Sequence, residues 1–256
     1  MDILEKLENF YKNYKYSKGI IGYSHMNKPI YYMAVRRSPS PIIISQYAIH
    51  GREYITTYLA LKQINYFLKH GNVGTVYFIP AVNPDGIFKS LYVDELNKAN
   101  SRGVDLNVNF PARWGTGKLN TKTPSRENYI GAFPFSEKET IALRDFTLKI
   151  RPNMTISYHA KGEEIYWKFH QPLKNLERDY QIALSLSKVT GYSLVETPFS
   201  AGGYKDWCIE KLHIPAVTIE VGKDSLTHPI KEQYLDDIFK KNKKVFNVLT
   251  KILKKD

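Results

Sequence analysis

The sequence predicts a single α/β domain, and three observations carry that expectation. Short apolar runs alternate with segments of helical periodicity, giving the strand, helix, strand order of a crossover unit. The run from Ile42 to Ala48 is apolar on both faces, as a central strand covered from both sides must be. A chain of 256 residues also suffices for one deep core without a second globular unit.

The elements follow in order. Ile3 to Tyr14 carries Leu4, Leu7 and Tyr11 at helical spacing, so a helix opens the chain. Ile30 to Val35 reads as a strand, and Pro39-Ser40-Pro41 separates it from the central strand Ile42 to Ala48. Tyr54 to Lys69 places Ile55, Leu59, Leu61, Ile64 and Phe67 on a helical pattern that Gly71 stops. Val76 to Pro80 is the next strand, and Ala81 to Gly86 reads as a turn-rich exit from it. The polar stretch from Asn83 through Arg126 to Pro134, interrupted only by Val104-Asp105-Leu106, reads as one long loop of the kind that usually carries function or disorder. Ser136 and Glu139 have the spacing of a capping box before a helix over Lys138 to Ile150, which Pro152 ends. Met154 to Tyr158 is a strand and Leu173 to Thr190 a helix, and Gly202-Gly203 opens a shorter helix through Trp207 to Leu212. Pro215 to Val221 is another apolar strand. Ile230 to Leu253 reads as one amphipathic helix with Leu235, Ile238, Phe239, Val245, Val248 and Leu249 on its buried side.

Charge and cysteine usage bound the function. Lys and Arg total 37 against 25 acidic residues, a net charge of +12, so an anionic partner is expected. Nucleic acid, anionic lipid and a carboxylate-rich substrate all fit that sign, while Lys240-Lys241-Asn242-Lys243-Lys244 reads as a solvated helix face. Cys208 is the only cysteine, which excludes a disulfide scaffold. Met1 to Lys18 lacks the apolar segment of a signal peptide and no later run could cross a bilayer, so no membrane insertion and a cytoplasmic location are expected.

The chemistry concentrates at strand ends. In His50-Gly51-Arg52-Glu53 an imidazole and a carboxylate stand three residues apart at the mouth of a helix, where both can face one point; nitrogen and oxygen donors suit zinc. His159 follows Ser157-Tyr158, and Glu220 lies in Thr218-Ile219-Glu220-Val221. Catalytic groups collect at such ends in open α/β sheets. A Glu in an otherwise apolar strand is costly to bury without a partner, and a metal-activated water would explain Glu220. Together His50, Glu53 and His159 supply three ligands and leave a fourth position for water, the pattern of a catalytic zinc. Zinc lowers the pKa of bound water to about 7, so a nearby carboxylate can take its proton, the role assigned to Glu220.

These residues, with the turn Asn83-Pro84-Asp85-Gly86 and the run Gly103-Val104-Asp105-Leu106-Asn107, resemble the zinc metallocarboxypeptidase family over nearly the whole sequence. The resemblance implies a mixed, mostly parallel twisted central sheet with helices on both faces, forming one catalytic domain over residues 1–256. It implies one Zn²⁺ per chain on His50, Glu53 and His159, Glu220 as general base, and Asp105 as the carboxylate that orients His50. Three departures accompany it. Val108 stands where ordinary carboxypeptidases carry the Arg that clamps a terminal carboxylate. Lys98 corresponds to the family's oxyanion-stabilising Arg, with Arg102 as a nearby substitute. Pro198 and Phe199 occupy the neighbourhood of the family's Tyr, and Tyr204 lies past the Gly-Gly turn.

Those departures resemble one branch, the γ-D-glutamyl-diamino acid endopeptidases that trim peptidoglycan stem peptides. Similar runs are Asp105 to Trp114, His159 to Trp167, and Gly202-Gly203-Tyr204-Lys205-Asp206-Trp207. The branch implies an acidic peptide substrate, a peptidoglycan fragment, with no nucleic-acid partner. Arg52, Asn107, Arg102, Lys205 and Tyr204 are then the substrate-contact candidates, and Lys205 with Lys161, Arg52 and Arg113 could line an anion-accepting cleft. The branch often carries cell-wall-binding repeats, which this sequence lacks, so soluble fragments are the expected substrate. The rivals are an ordinary metallocarboxypeptidase, against which Val108 argues, a zinc amidohydrolase on acyl-amino acids, and a non-catalytic peptidoglycan-peptide-binding protein.

Overall fold

An eight-stranded mixed sheet organises the computed structural model, which describes residues 1–196 and 200–254. The helix α1 (Ile3–Asn13) leads into β1 (Lys18–Tyr23), β2 (Pro29–Arg36) and β3 (Ile42–Tyr47). Next come α2 (Ile55–His70), β4 (Thr75–Ile79) and α3 (Pro84–Tyr92), then a long connection to α4 (Lys138–Ile150). The chain continues through β5 (Met154–His159), β6 (Glu164–Tyr166), α5 (Leu173–Thr190), β7 (Ser193–Val195), α6 (Tyr204–Leu212) and β8 (Ala216–Glu220). Two helices, α7 (Leu235–Asn242) and α8 (Val245–Ile252), close it.

The strand order is β1-β2-β4-β3-β5-β8-β6-β7. The four central strands β4, β3, β5 and β8 run parallel, and the antiparallel pairs β1–β2, β2–β4 and β6–β8 lie to either side. Alternation along β3 explains its unbroken apolar sequence. Ile43 and Tyr47 face a core built from α1, α2, α5, α7 and α8, while Ile44 faces a second core built from α4 and α6. Parallel strands point the same way, so β3, β5 and β8 deliver their last residues to one edge of the sheet.

Four features depart from the sequence reading. The Asn83-Pro84-Asp85-Gly86 turn is the start of α3: Asn83 Oδ1 accepts from Gly86 N at 2.8 Å and Pro84 fills the first turn, so these residues cap a helix. The strands β1, β6 and β7 lie outside the expected set; β1 carries two glycines and the other two span three residues each, too short for an alternation to register. The capping box at Ser136 does not form, because Glu137 is the N-cap of α4, the Ser136 hydroxyl donates to Glu137 Oε1, and Glu139 accepts from His25 N. The C-terminal helix is two helices, and the break follows Asn242, whose buried amide turns inward.

That amide belongs to a buried polar network. Gln63 Oε1 accepts from Tyr47 OH at 2.7 Å, and Gln63 Nε2 donates to Tyr158 OH at 3.0 Å and to Asn242 O at 3.1 Å. Asn242 Nδ2 donates to Tyr192 OH at 2.9 Å. The Tyr47 and Tyr158 rings stack 4.8 Å apart beneath it. Replacing Gln63 by Leu strands these hydroxyls away from water and is expected to lower stability by about 1–3 kcal/mol. Urea unfolding measures it, and an unchanged midpoint would mean that the network does not stabilise the core. Among the described residues, no helix is long and apolar enough to cross a membrane.

Candidate metal centre

The end of β3 and the turn after it set the first half of the centre. Ala48 and Ile49 follow the strand, His50 stands next, and a single 3₁₀ turn over Gly51–Glu53 carries the carboxylate back over the imidazole. This turn lies directly on α3. A Cβ at Gly51 would meet Gly86 O at 2.2 Å, so only glycine fits, which is why His-Gly-Arg-Glu and Asn-Pro-Asp-Gly occur in one sequence. Asn83 Nδ2 donates to Ile49 O at 3.0 Å and to Lys98 O at 3.3 Å, while Gly51 N donates to Lys98 O at 3.0 Å. The loop bearing Lys98 is thereby fastened beside His50.

Three donors converge. His50 Nδ1 lies 2.9 Å from Glu53 Oε1, and His159 Nδ1 lies 3.1 Å from Glu53 Oε2 and 3.2 Å from His50 Nδ1. All three residues are buried. Asp105 Oδ1 stands 3.1 Å from His50 Nε2, and Asp105 also accepts from Asn107 N and Asn128 N. With the Nε2 proton directed to Asp105, the His50 Nδ1 lone pair faces the cluster. Two imidazole nitrogens 3.2 Å apart and facing one carboxylate form a donor set suited to a zinc ion, so these residues fit that metal.

The electrostatics belong to a site built for charge. Burial disfavours the charged form of His50, yet the Glu53 and Asp105 carboxylates outweigh it and hold its pKa up at about 9. Burial likewise opposes ionisation of Glu53, and the two histidines overcome it and hold the carboxyl well below its usual range. His159 moves down, because its burial exceeds the help it receives from Glu53. Glu220 closes β8 directly beside His159 in the strand register; desolvation first, then the negative charge of Glu53, push its carboxyl well above the usual range.

The structure separates the substrate candidates. Lys98 lies close enough to act electrostatically on Asp105, His159 and Glu220, whereas the exposed Arg102 turns to Glu137, its Nε 3.9 Å from Oε2. Arg52 stays at the rim, half-buried, with its guanidinium 3.3 Å from Leu96 O and 3.6 Å from Glu127. Asn107 Oδ1 accepts from Tyr204 N at 3.3 Å, which joins the Asp105 turn to the start of α6. Lys205 is not the free cation that its sequence position suggests: it is 5% exposed, its ammonium 2.5 Å from Asp206 Oδ1 and 5.3 Å from the Phe169 ring centre. Tyr204 is fully buried and its hydroxyl bonds Thr147, so it cannot take the place of the family's Tyr. Arg113 pairs with Glu210 and Lys161 with Asp224, which divides the expected cationic cleft. Pro198 and Phe199 lie outside the described residues.

Two residues near the centre escaped the sequence reading. Glu164 on β6 stands opposite Glu220 and accepts from Tyr166 OH at 2.5 Å. His228, in the loop that leaves β8, feels Glu53, Arg52, Lys161 and Lys98, and burial pushes its pKa down to about 4. A His-Pro pair shortly after the Glu220 strand was the available signal for the latter.

A family model described as zinc carboxypeptidase matches residues 2–244. Gamma-D-glutamyl-L-diamino acid endopeptidase 1 of Lysinibacillus sphaericus is 30% identical over 223 residues, covering 72% of this chain and 55% of that protein. An uncharacterized protein of Bacillus subtilis is 28% identical, with 59% of its length covered, so the chain spans little more than half of these two relatives. Murein peptide amidase A of Escherichia coli K12 is 30% identical over 195 residues, covering 73% of this chain and 72% of that one. Among solved structures, bovine thrombin-activatable fibrinolysis inhibitor superposes with a TM-score of 0.84 at 20% identity, covering 99% and 96% of the two chains. The murein-tripeptide amidase of Escherichia coli O157 gives 0.61 at 22% identity, covering 91% of each.

Proposed function

This chain belongs to the zinc carboxypeptidase family of metallopeptidases, and from that premise we propose that it hydrolyses γ-D-glutamyl-diamino acid bonds in peptidoglycan stem peptides, residues 1–256 acting as one catalytic unit. The observation that carries the metal assignment is the meeting of His50 Nδ1, His159 Nδ1 and the Glu53 carboxylate. His50, Glu53 and His159 hold one zinc ion. When bound, zinc supplies Lewis-acid polarisation and brings the pKa of water down to about 7.

The chain's own residues do the rest. Asp105 keeps the proton on His50 Nε2, so Nδ1 remains a ligand. Glu220 takes the proton of the attacking water on its carboxylate and passes it to the leaving amine. Lys98 presents a positive charge where the carbonyl oxygen gains negative charge, a point charge in place of a guanidinium fork. Arg52 and Asn107 position an acidic substrate.

The substrate assignment is supported by the endopeptidase and amidase relatives and by Val108, which removes the clamp an ordinary carboxypeptidase uses. The test is direct. Zinc-loaded protein is incubated with L-Ala-γ-D-Glu-diaminopimelate and with an α-linked peptide of the same length, and products are identified by mass. Release of diaminopimelate from the γ-linked peptide alone is expected. Cleavage of only the α-linked peptide would return the chain to the ordinary carboxypeptidases, and tight binding without cleavage would make it a peptide-binding protein.

A further inference from the structure

A second group of metal-type donors lies away from the centre just described. His25 sits in the turn between β1 and β2, Glu137 is the N-cap of α4, and Glu139 stands in that helix's first turn. One ligand atom from each lies within 4.8 Å of the others. Both glutamates are 0% exposed, and two carboxylates side by side in a protein interior require compensation.

Hydrogen bonds supply part of it. Ser136 Oγ donates to Glu137 Oε1 at 2.7 Å, Asn100 Nδ2 to Glu137 Oε2 at 2.8 Å and to Glu139 Oε2 at 3.4 Å, and His25 N to Glu139 Oε1 at 3.2 Å. Arg102 adds only a distant contact, its side chain half exposed and 3.9 Å away. Asp85 contributes further negative charge, and burial pushes the Glu139 carboxyl up to about 7. His25 Nε2 is buried 3.0 Å from Glu137 Oε2 and turned toward both carboxylates, so the three side chains face one point. The convergence of an imidazole nitrogen and a carboxylate oxygen at about 3 Å is also the arrangement found at His50, Glu53 and His159.

We infer that His25, Glu137 and Glu139 form a second binding site for a divalent transition cation, separate from the His50–Glu53–His159 centre. One neutral imidazole and two carboxylates match a dication in charge, and the nitrogen and oxygen donor set suits zinc. His25, whose side chain is 19% exposed, gives an ion access from solvent. The site is structural. It ties three separate segments together: the β1–β2 turn, the start of α4 and, through Asn100, the loop that ends in Asp105. Asn100 Oδ1 accepts from Arg102 N and Val104 N, so a cation that steadies the Glu137–Asn100 bond also steadies the loop from which Lys98 and Asp105 reach the first centre.

The test removes the first centre and asks what remains. Wild-type protein and the His50→Ala/His159→Ala variant are stripped with chelator and titrated with zinc at buffered free concentrations, with bound metal counted by mass spectrometry. Two zinc ions per chain are expected in the wild type and one in the variant, whose Tm rises as that ion binds. Adding Glu139→Gln, or His25→Ala should the first disturb folding, is expected to weaken the remaining site at least tenfold. Anomalous diffraction from wild-type crystals at the zinc edge locates the ions independently of any variant. One ion in the wild type, none in the variant, or no anomalous peak at His25 would overturn the inference.

Discussion

Replacement of Glu220 by Gln is expected to lower kcat roughly a thousandfold while leaving metal content at the wild-type level. The amide keeps the size of the side chain and loses only the ability to take a proton. Glu220 is not placed to be a ligand of the converging donors: it ends β8 in register with His159 and acts on Glu53 and His50 through charge. Its surroundings also favour the role of base proposed for it. Desolvation and the charges of Glu53 and Glu164 all resist its ionisation, which raises its affinity for a proton, while Lys98 and His50 act in the opposite sense. Steady-state kinetics with metal analysis decides the matter; a Gln variant with full metal content and near-normal turnover would remove Glu220 from the reaction.

The second large effect concerns Lys205. Lys205→Met is expected to cost about 3–5 kcal/mol of stability, because it leaves Asp206 buried without its cation. The side chains of the pair are 6% and 1% exposed, and among the described residues Ser200 Oγ and Gly203 N remain as donors to Asp206. Adding Asp206→Asn is expected to recover part of the loss, since the neutral amide needs no counter-charge. Urea unfolding of the single and double variants measures both. A stability change below about 1 kcal/mol, accompanied by a fall in kcat/KM, would instead give Lys205 the substrate-reading role that its sequence position suggests.

These expectations mark where sequence and structure part. Three local regularities carry through unaltered. The two-faced apolar run at Ile42–Tyr47, the periodic helix after Glu53 and the Leu173–Thr190 helix each have a pattern set by their own residues, and each appears where its pattern lies. Asn83-Pro84-Asp85-Gly86 uses residue types that serve a turn or a helix start equally, and here the Asn83 cap on Gly86 N and Pro84 in the first turn open α3. The three-residue strands β6 and β7 hold no pattern, and their existence follows from the strands beside them.

The α/β class, the donor residues His50, Glu53 and His159, and the anomalous Glu220 are legible in the amino-acid order alone, because apolar periodicity, His-x-x-Glu spacing and a charge in an apolar strand are all properties of short segments. The folded chain was needed to show that Lys98 acts on that centre, that Lys205 is neutralised by Asp206, and that His25 meets Glu137 and Glu139. The first and last depend on residues far apart in the chain, as His25 and Glu139 are at 114 positions, and the Lys205–Asp206 pair matters because both side chains are buried.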